Sequence, residues 1–108
     1  MKILLDTNTY SALMRGHGEV ADRVRRAEQV VLSTVVAGEL LLGFRLGTRL
    51  KKNMAELEVF LENPYVSLVP VTLTTADRFG RIAATLRAKG RPIPPNDIWI
   101  AAHAMETG

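Results

Sequence analysis

Short apolar runs that stop on a polar residue and give way to helical stripes are the feature that most limits how this chain can fold. Lys2 to Leu5 runs into Asp6, Val30 to Leu32 ends on Ser33-Thr34, and Val66 to Val71 carries Pro70 near its close. Such runs, brief and without polar alternation, suit strands covered on both faces of a parallel sheet. Ser33 and Thr34 are good helix-starting residues, and Pro70 predicts an edge strand or an early exit. Elsewhere the apolar period is helical. Leu50, Met54, Leu57 and Leu61 form one stripe, with Lys51, Lys52, Glu56, Glu58 and Glu62 on other faces. Thr74 with Asp77 has capping-box spacing and predicts a helix bearing Phe79, Ile82, Ala83 and Leu86, stopped at Gly90. Pro92, Pro94 and Pro95 imply an extended connection. Asn96 is then the expected cap of a last helix with Ile98, Ala101, Ala102 and Met105 on its apolar face and Gly108 as its C-cap. This alternation predicts an α/β fold around a parallel central sheet. Because the alternation stops on a helix cap, a further strand is the next element expected.

Composition narrows the function. A length of 108 residues fits one small domain, 1–108. The absence of cysteine excludes a disulfide framework, a thiolate metal site and a cysteine nucleophile, and two histidines, His17 and His103, make a His-rich zinc centre a poor fit. Fourteen basic against eleven acidic residues give +3, a balance that permits nucleic acid as a partner without requiring it. Asp6 interrupts the first apolar run too early for a signal peptide. The longest apolar region, Val30 to Gly38, falls far below the ~18 residues of a membrane helix. A soluble, cytoplasmic protein without membrane association is expected.

Three carboxylates follow strands or open helices: Asp6 after the first strand, Glu39 early in the helix after the second, Asp97 at the start of the last helix. In an open parallel sheet these positions share the edge at which ligands bind. Three carboxylates brought together repel one another, and a hard divalent cation such as Mg²⁺ or Mn²⁺ relieves that repulsion through oxygen ligation. Each residue also has a plain structural role open to it. Asp6 can form an Asx-type turn with Thr7 and Asn8, Asp97 can favour the positive end of a helix dipole, and Glu39 can lie on a helix surface. Glu39 fits its plain role least well. It sits within Val35-Val36-Ala37-Gly38-Glu39-Leu40-Leu41-Leu42 with no basic residue within a helical turn, and a partly desolvated carboxylate needs a partner.

The ordered set Met-Lys-Ile-Leu-Leu-Asp6-Thr7-Asn8, Ser33-Thr34-Val35-Val36-Ala37-Gly38-Glu39-Leu40-Leu41-Leu42-Gly43 and Asn96-Asp97-Ile98-Trp99-Ile100-Ala101-Ala102 resembles the PIN domain, and within it the VapC-type toxins of toxin–antitoxin pairs. The resemblance implies a three-layer domain, with the parallel sheet flanked by helices, and a Mg²⁺- or Mn²⁺-dependent endoribonuclease. It assigns Asp6 and Asp97 to the metal, Glu39 to the active-site glutamate, and Thr7 and Asn8 to supporting places. It further implies products with a 5′-phosphate and a 3′-hydroxyl, an antitoxin partner and commonly a homodimer. PIN domains usually continue into another strand and a fourth acidic or amide position, neither of which this sequence contains. Three carboxylates still suffice to hold one cation through water, with the choice between one metal and two left open. The edge of the first strand is expected to be exposed, the chain being less stable or more association-prone for it.

Two stretches free of acid, with Arg45, Arg49, Lys51 and Lys52 in one and Arg78, Arg81, Arg87, Lys89 and Arg91 in the other, are either solvated helix faces or flanks that hold an RNA backbone. No residue signals base-specific readout. His17, between two glycines, is expected in a loop, and His103 at a surface or interface. Trp99, Phe44 and Phe60 are expected in the core. Excess apolar residues from Val35 to Leu61 offer a groove for a partner segment. Two other classes compete with the nuclease. One is a catalytically weakened or inactive PIN-like module that binds RNA or an antitoxin. The other is a hydrolase of small phosphoesters, for which the Gly-rich phosphate loop after the first strand is missing.

Overall fold

Residues 1–107 are described by a computed structural model, so the cap assigned to Gly108 lies outside them. Three parallel strands, β1 (Lys2–Leu5), β2 (Gln29–Ser33) and β3 (Val66–Val69), lie in the order β1-β2-β3. Their register sets Leu5 beside Leu32 and Leu32 beside Leu68. The central strand is the apolar heart of the chain. Val30 and Leu32 point to one face and Val31 and Ser33 to the other, and all four are buried. Pro70 ends β3 at Val69, on an edge of the sheet, as its place in the sequence predicts.

Among the described residues six helices accompany the sheet: α1 (Thr7–Met14), α2 (Gly18–Arg26), α3 (Thr34–Leu46), α4 (Leu50–Glu62), α5 (Leu73–Ala88) and α6 (Pro95–Thr107). Leu5, Val30 and Leu32 pack with Tyr10 of α1, with Val36, Ala37 and Leu40 of α3, and with Leu57 of α4. Tyr10 meets Phe60 edge-on at 5.3 Å. Phe44 and Phe60 lie against this core, while the half-buried Trp99 stacks on Phe79 at 4.0 Å and so joins α6 to α5. None of the helices is long and apolar enough to cross a membrane among the described residues.

The helix ends differ from expectation in three places. Residues 7–26, for which the sequence offered no helix, form α1 and α2. The first begins where the Asp6 carboxylate accepts the Thr9 N–H at 2.7 Å, which makes Asp6 a helix cap rather than a simple turn residue. It ends where Gly16 takes φ +77° and the Gly16 and His17 N–H groups bond back to Leu13 and Ala12 carbonyls. Helix α5 opens two residues before the predicted Thr74–Asp77 pair. Thr72 accepts the Thr75 N–H at 3.3 Å while the Thr75 hydroxyl accepts the Thr72 N–H at 3.1 Å, a reciprocal box, and Asp77 instead pairs with Arg81 on the surface at 3.1 Å. Helix α6 begins at Pro95, whose missing N–H costs nothing at a first helical position. The Pro94 carbonyl takes both the Asp97 and Ile98 N–H groups, which leaves Asn96 inside the first turn and not at its cap.

His103 is also a correction: it is 1% exposed rather than at the surface. Burial pushes its imidazole below the ordinary value of 6.5, against a smaller upward pull from Glu106. A base with a depressed folded pKa binds protons less readily than in the unfolded chain. Its contribution to stability is therefore complete above the unfolded value and is lost as pH falls. The unfolding free energy in urea is expected to drop as pH is lowered from about 7 to about 5, and His103→Gln to flatten that drop. Gly90 closes α5 with φ +65° as Gly16 closes α1. Gly90→Ala is expected to cost about 1–2 kcal/mol in the same measurement, and an unchanged midpoint would contradict this account of the turn.

Candidate active site

The three carboxylates lie around one cleft at the C-terminal edge of the sheet. Because Leu5 and Leu32 are level in parallel strands, the chain leaves both at one edge, and α1 and α3 start side by side there. Asp6 is the residue directly after β1. Ser33, buried at the end of β2, caps α3 by accepting the Val35 N–H at 3.0 Å, which sends the helix away from that edge with Glu39 in its second turn. Helix α6 packs on α3 and brings Asp97 from the other side.

Asp6, Thr7, Asn8, Glu39, Asp97 and Ile100 line one cleft of about 250 Å³. No basic side chain is among them. Asp6, Asn8 and Asp97 are exposed, while Glu39 is half-buried, as its apolar neighbours predict. Its partner comes from across the cleft: the Thr7 hydroxyl donates to Glu39 Oε1 at 3.1 Å, so α1 and α3 are tied together at the site. This partner was invisible in sequence, where the two residues lie 32 positions apart. Ile100 was not foreseen either. The available signal was its place one helical turn after Asp97, on the same face of α6.

The carboxylates surround the cleft without closing on a point. Among the described residues, no group of three histidine, aspartate or glutamate side chains is drawn close enough to clasp an ion. The donor set is nonetheless all oxygen, with no soft ligand, and the cleft has room for water. Asp6 spends one oxygen on the Thr9 N–H and Glu39 one on Thr7, so each keeps a second oxygen for another partner. Such a set suits a hard cation that keeps several of its own waters.

Comparison with known proteins agrees with this architecture. The PIN domain profile matches residues 3–108, and the chain belongs to the PIN domain family. Among its relatives is the ribonuclease VapC1 of Haemophilus influenzae, 30% identical over 109 residues, an overlap covering 97% of this chain and 80% of that protein. The tRNA(fMet)-specific endonuclease VapC of Salmonella typhimurium is 28% identical over 110 residues, covering 100% and 82%. The solved VapBC-1 structure from nontypeable Haemophilus influenzae superimposes with a TM-score of 0.83 at 30% identity, over 97% of this chain and 80% of that one.

The Thr7–Glu39 bond makes a stability prediction independent of activity. In a double-mutant cycle, Thr7→Val and Glu39→Leu, each of which removes one partner of the bond, are expected to show a coupling of about 1 kcal/mol in urea unfolding. Strictly additive effects would mean that the two side chains do not hold each other.

Proposed function

We infer that this chain is a metal-dependent endoribonuclease and the toxin member of a type II toxin–antitoxin pair. The observation that carries this reading is the convergence of Asp6, Glu39 and Asp97, from three distant segments, on one cleft without a balancing cation side chain. The ribonuclease relatives supply the substrate class. In this reading Asp6 and Asp97, with Glu39, hold Mg²⁺ or Mn²⁺. The ion, when bound, polarises a phosphoryl oxygen and lowers the pKa of water. Glu39, fixed by Thr7, positions or deprotonates the attacking water, and Asn8 offers an amide beside the scissile group. In-line attack then leaves a 5′-phosphate and a 3′-hydroxyl.

Partners follow from other surfaces. Met14, Ala55, Val59 and Phe60 line an apolar cleft of about 490 Å³ between α1 and α4, and Val59 is 68% exposed there. We assign this cleft to the apolar segment of an antitoxin, in keeping with a structural neighbour that is a VapBC pair. Leu42 and Leu46 of α3 and Leu73 of α5 are also exposed and give a second copy of the chain apolar surface to cover. A cytoplasmic location accords with RNA as substrate.

The decisive experiment is cleavage of RNA by the 108-residue chain with and without Mg²⁺ or Mn²⁺, alongside Asp6→Asn. Cleavage is expected to need the metal and to vanish in the variant, and the metal is expected to raise the melting temperature of the parent chain. If metal neither supports cleavage nor shifts melting, a PIN-like module that binds RNA or an antitoxin becomes the better description.

A further inference from the structure

A third pocket, of about 240 Å³, lies further along α1 and is opposite in charge to the carboxylate cleft. Arg15 of α1 meets Arg49 and Lys52 from the start of α4 around it, with Asn53 and Glu56 one turn further on. Three cations against one carboxylate leave an excess of two positive charges. None of the three is in an ion pair among the described residues, although Arg23, Arg25 and Arg81 elsewhere on the surface each have an acidic partner. Tyr10 forms part of the wall. It is 2% exposed, and its hydroxyl has no hydrogen-bond partner among the described residues. Burial, with a further push from Glu56, raises that phenol to about 12, so it remains a neutral donor.

The position of this pocket matters as much as its charge. Thr7 and Asn8 line the carboxylate cleft, while Ser11, Met14 and Arg15 line the basic pocket. At helical spacing these five residues fall on one face of α1. From Asp6 to Arg15 the helix rises about 13 Å, a span that a few nucleotides of single-stranded RNA cover. A ligand lying along this face meets a cation-seeking acidic cleft at one end and free basic groups at the other. A chain of regularly spaced phosphates satisfies both ends, which an isolated acidic side chain of a protein partner does not.

We propose that Arg15, Arg49 and Lys52 form a phosphate subsite that holds the RNA strand a few nucleotides from the scissile bond, so that substrate is gripped along α1. This inference rests on the ribonuclease reading of the carboxylate cleft. It gives a role to Arg15, which sequence alone had not grouped with the basic stretch of α4. Glu56 then tempers the subsite, and its removal should strengthen binding.

The test is the anisotropy of a fluorescently labelled, mixed-sequence single-stranded RNA, long enough to cover both sites, titrated in EDTA so that binding is read without cleavage. Arg15→Gln with Lys52→Gln is expected to weaken binding roughly fivefold or more and to reduce the slope of log affinity against log salt by about 0.7 for each phosphate that is no longer neutralised. Glu56→Gln is expected to tighten binding. Arg26→Gln, an exposed basic residue on α2 whose loss of one positive charge equals that of either subsite substitution taken singly, is expected to match the parent. Thermal melting of each variant checks that it folds. If the double variant and Arg26→Gln bind alike while the parent chain binds and cuts RNA, the subsite is wrong and the nuclease reading stands. If the parent neither binds nor cuts RNA, both fall.

Discussion

The site depends on the burial of β2 in parallel register with β1. Val30, Val31 and Leu32 are almost wholly removed from water, and each such side chain is worth about 1.5–3 kcal/mol in transfer from solvent. That gain holds the middle strand in place, and its register with β1 makes Leu5 and Leu32 end level. Two helices must then depart from the same edge. Asp6 and Ser33 cap them by the same device, a side-chain oxygen taking an N–H of the first turn. The Thr7–Glu39 bond locks the pair where they leave the sheet. A one-residue slip of β2 would turn Val31 and Ser33 towards the core face and swing α3, with Glu39, away from α1.

What was legible in the sequence was whatever a short apolar run or a long stripe records. The three strands, the presence of helices α4 and α5, and the placement of Asp6, Glu39 and Asp97 at one edge of the sheet followed from such patterns. Helices α1 and α2 did not, because eight and nine residues are too few to establish a period. Their limits are set by single residues, the Asp6 cap and the left-handed Gly16, whose meaning depends on where the preceding strand ends. Helix starts were ambiguous wherever several cap-forming residues lay together. Three threonines and a proline lie between Val69 and Ala76, and only the extended backbone at Thr72 decides which of them caps. His103 was misjudged because local sequence does not reveal what α6 packs against.

The carboxylate cleft is assembled from two unequal parts. Asp6 and Glu39 stand on helices rooted in the central core, whereas Asp97 rides on α6, which packs chiefly on α5 and reaches the rest of the molecule through α3. The chain is correspondingly extended, with a radius of gyration of 14.8 Å against about 13 Å for a compact domain of this length. The spacing of the third carboxylate is thus governed by how α6 seats on α3, and less by the sheet.

The stacking of Trp99 on Phe79 gives that seating an optical consequence. Trp99 is the only tryptophan in the chain, and it lies two residues from Asp97 on the helix that completes the cleft. Its indole emission therefore comes from a single place in the molecule, the α5–α6 hairpin. Any ligand that draws Asp97 inward shifts the environment of that one fluorophore without the need for an added label.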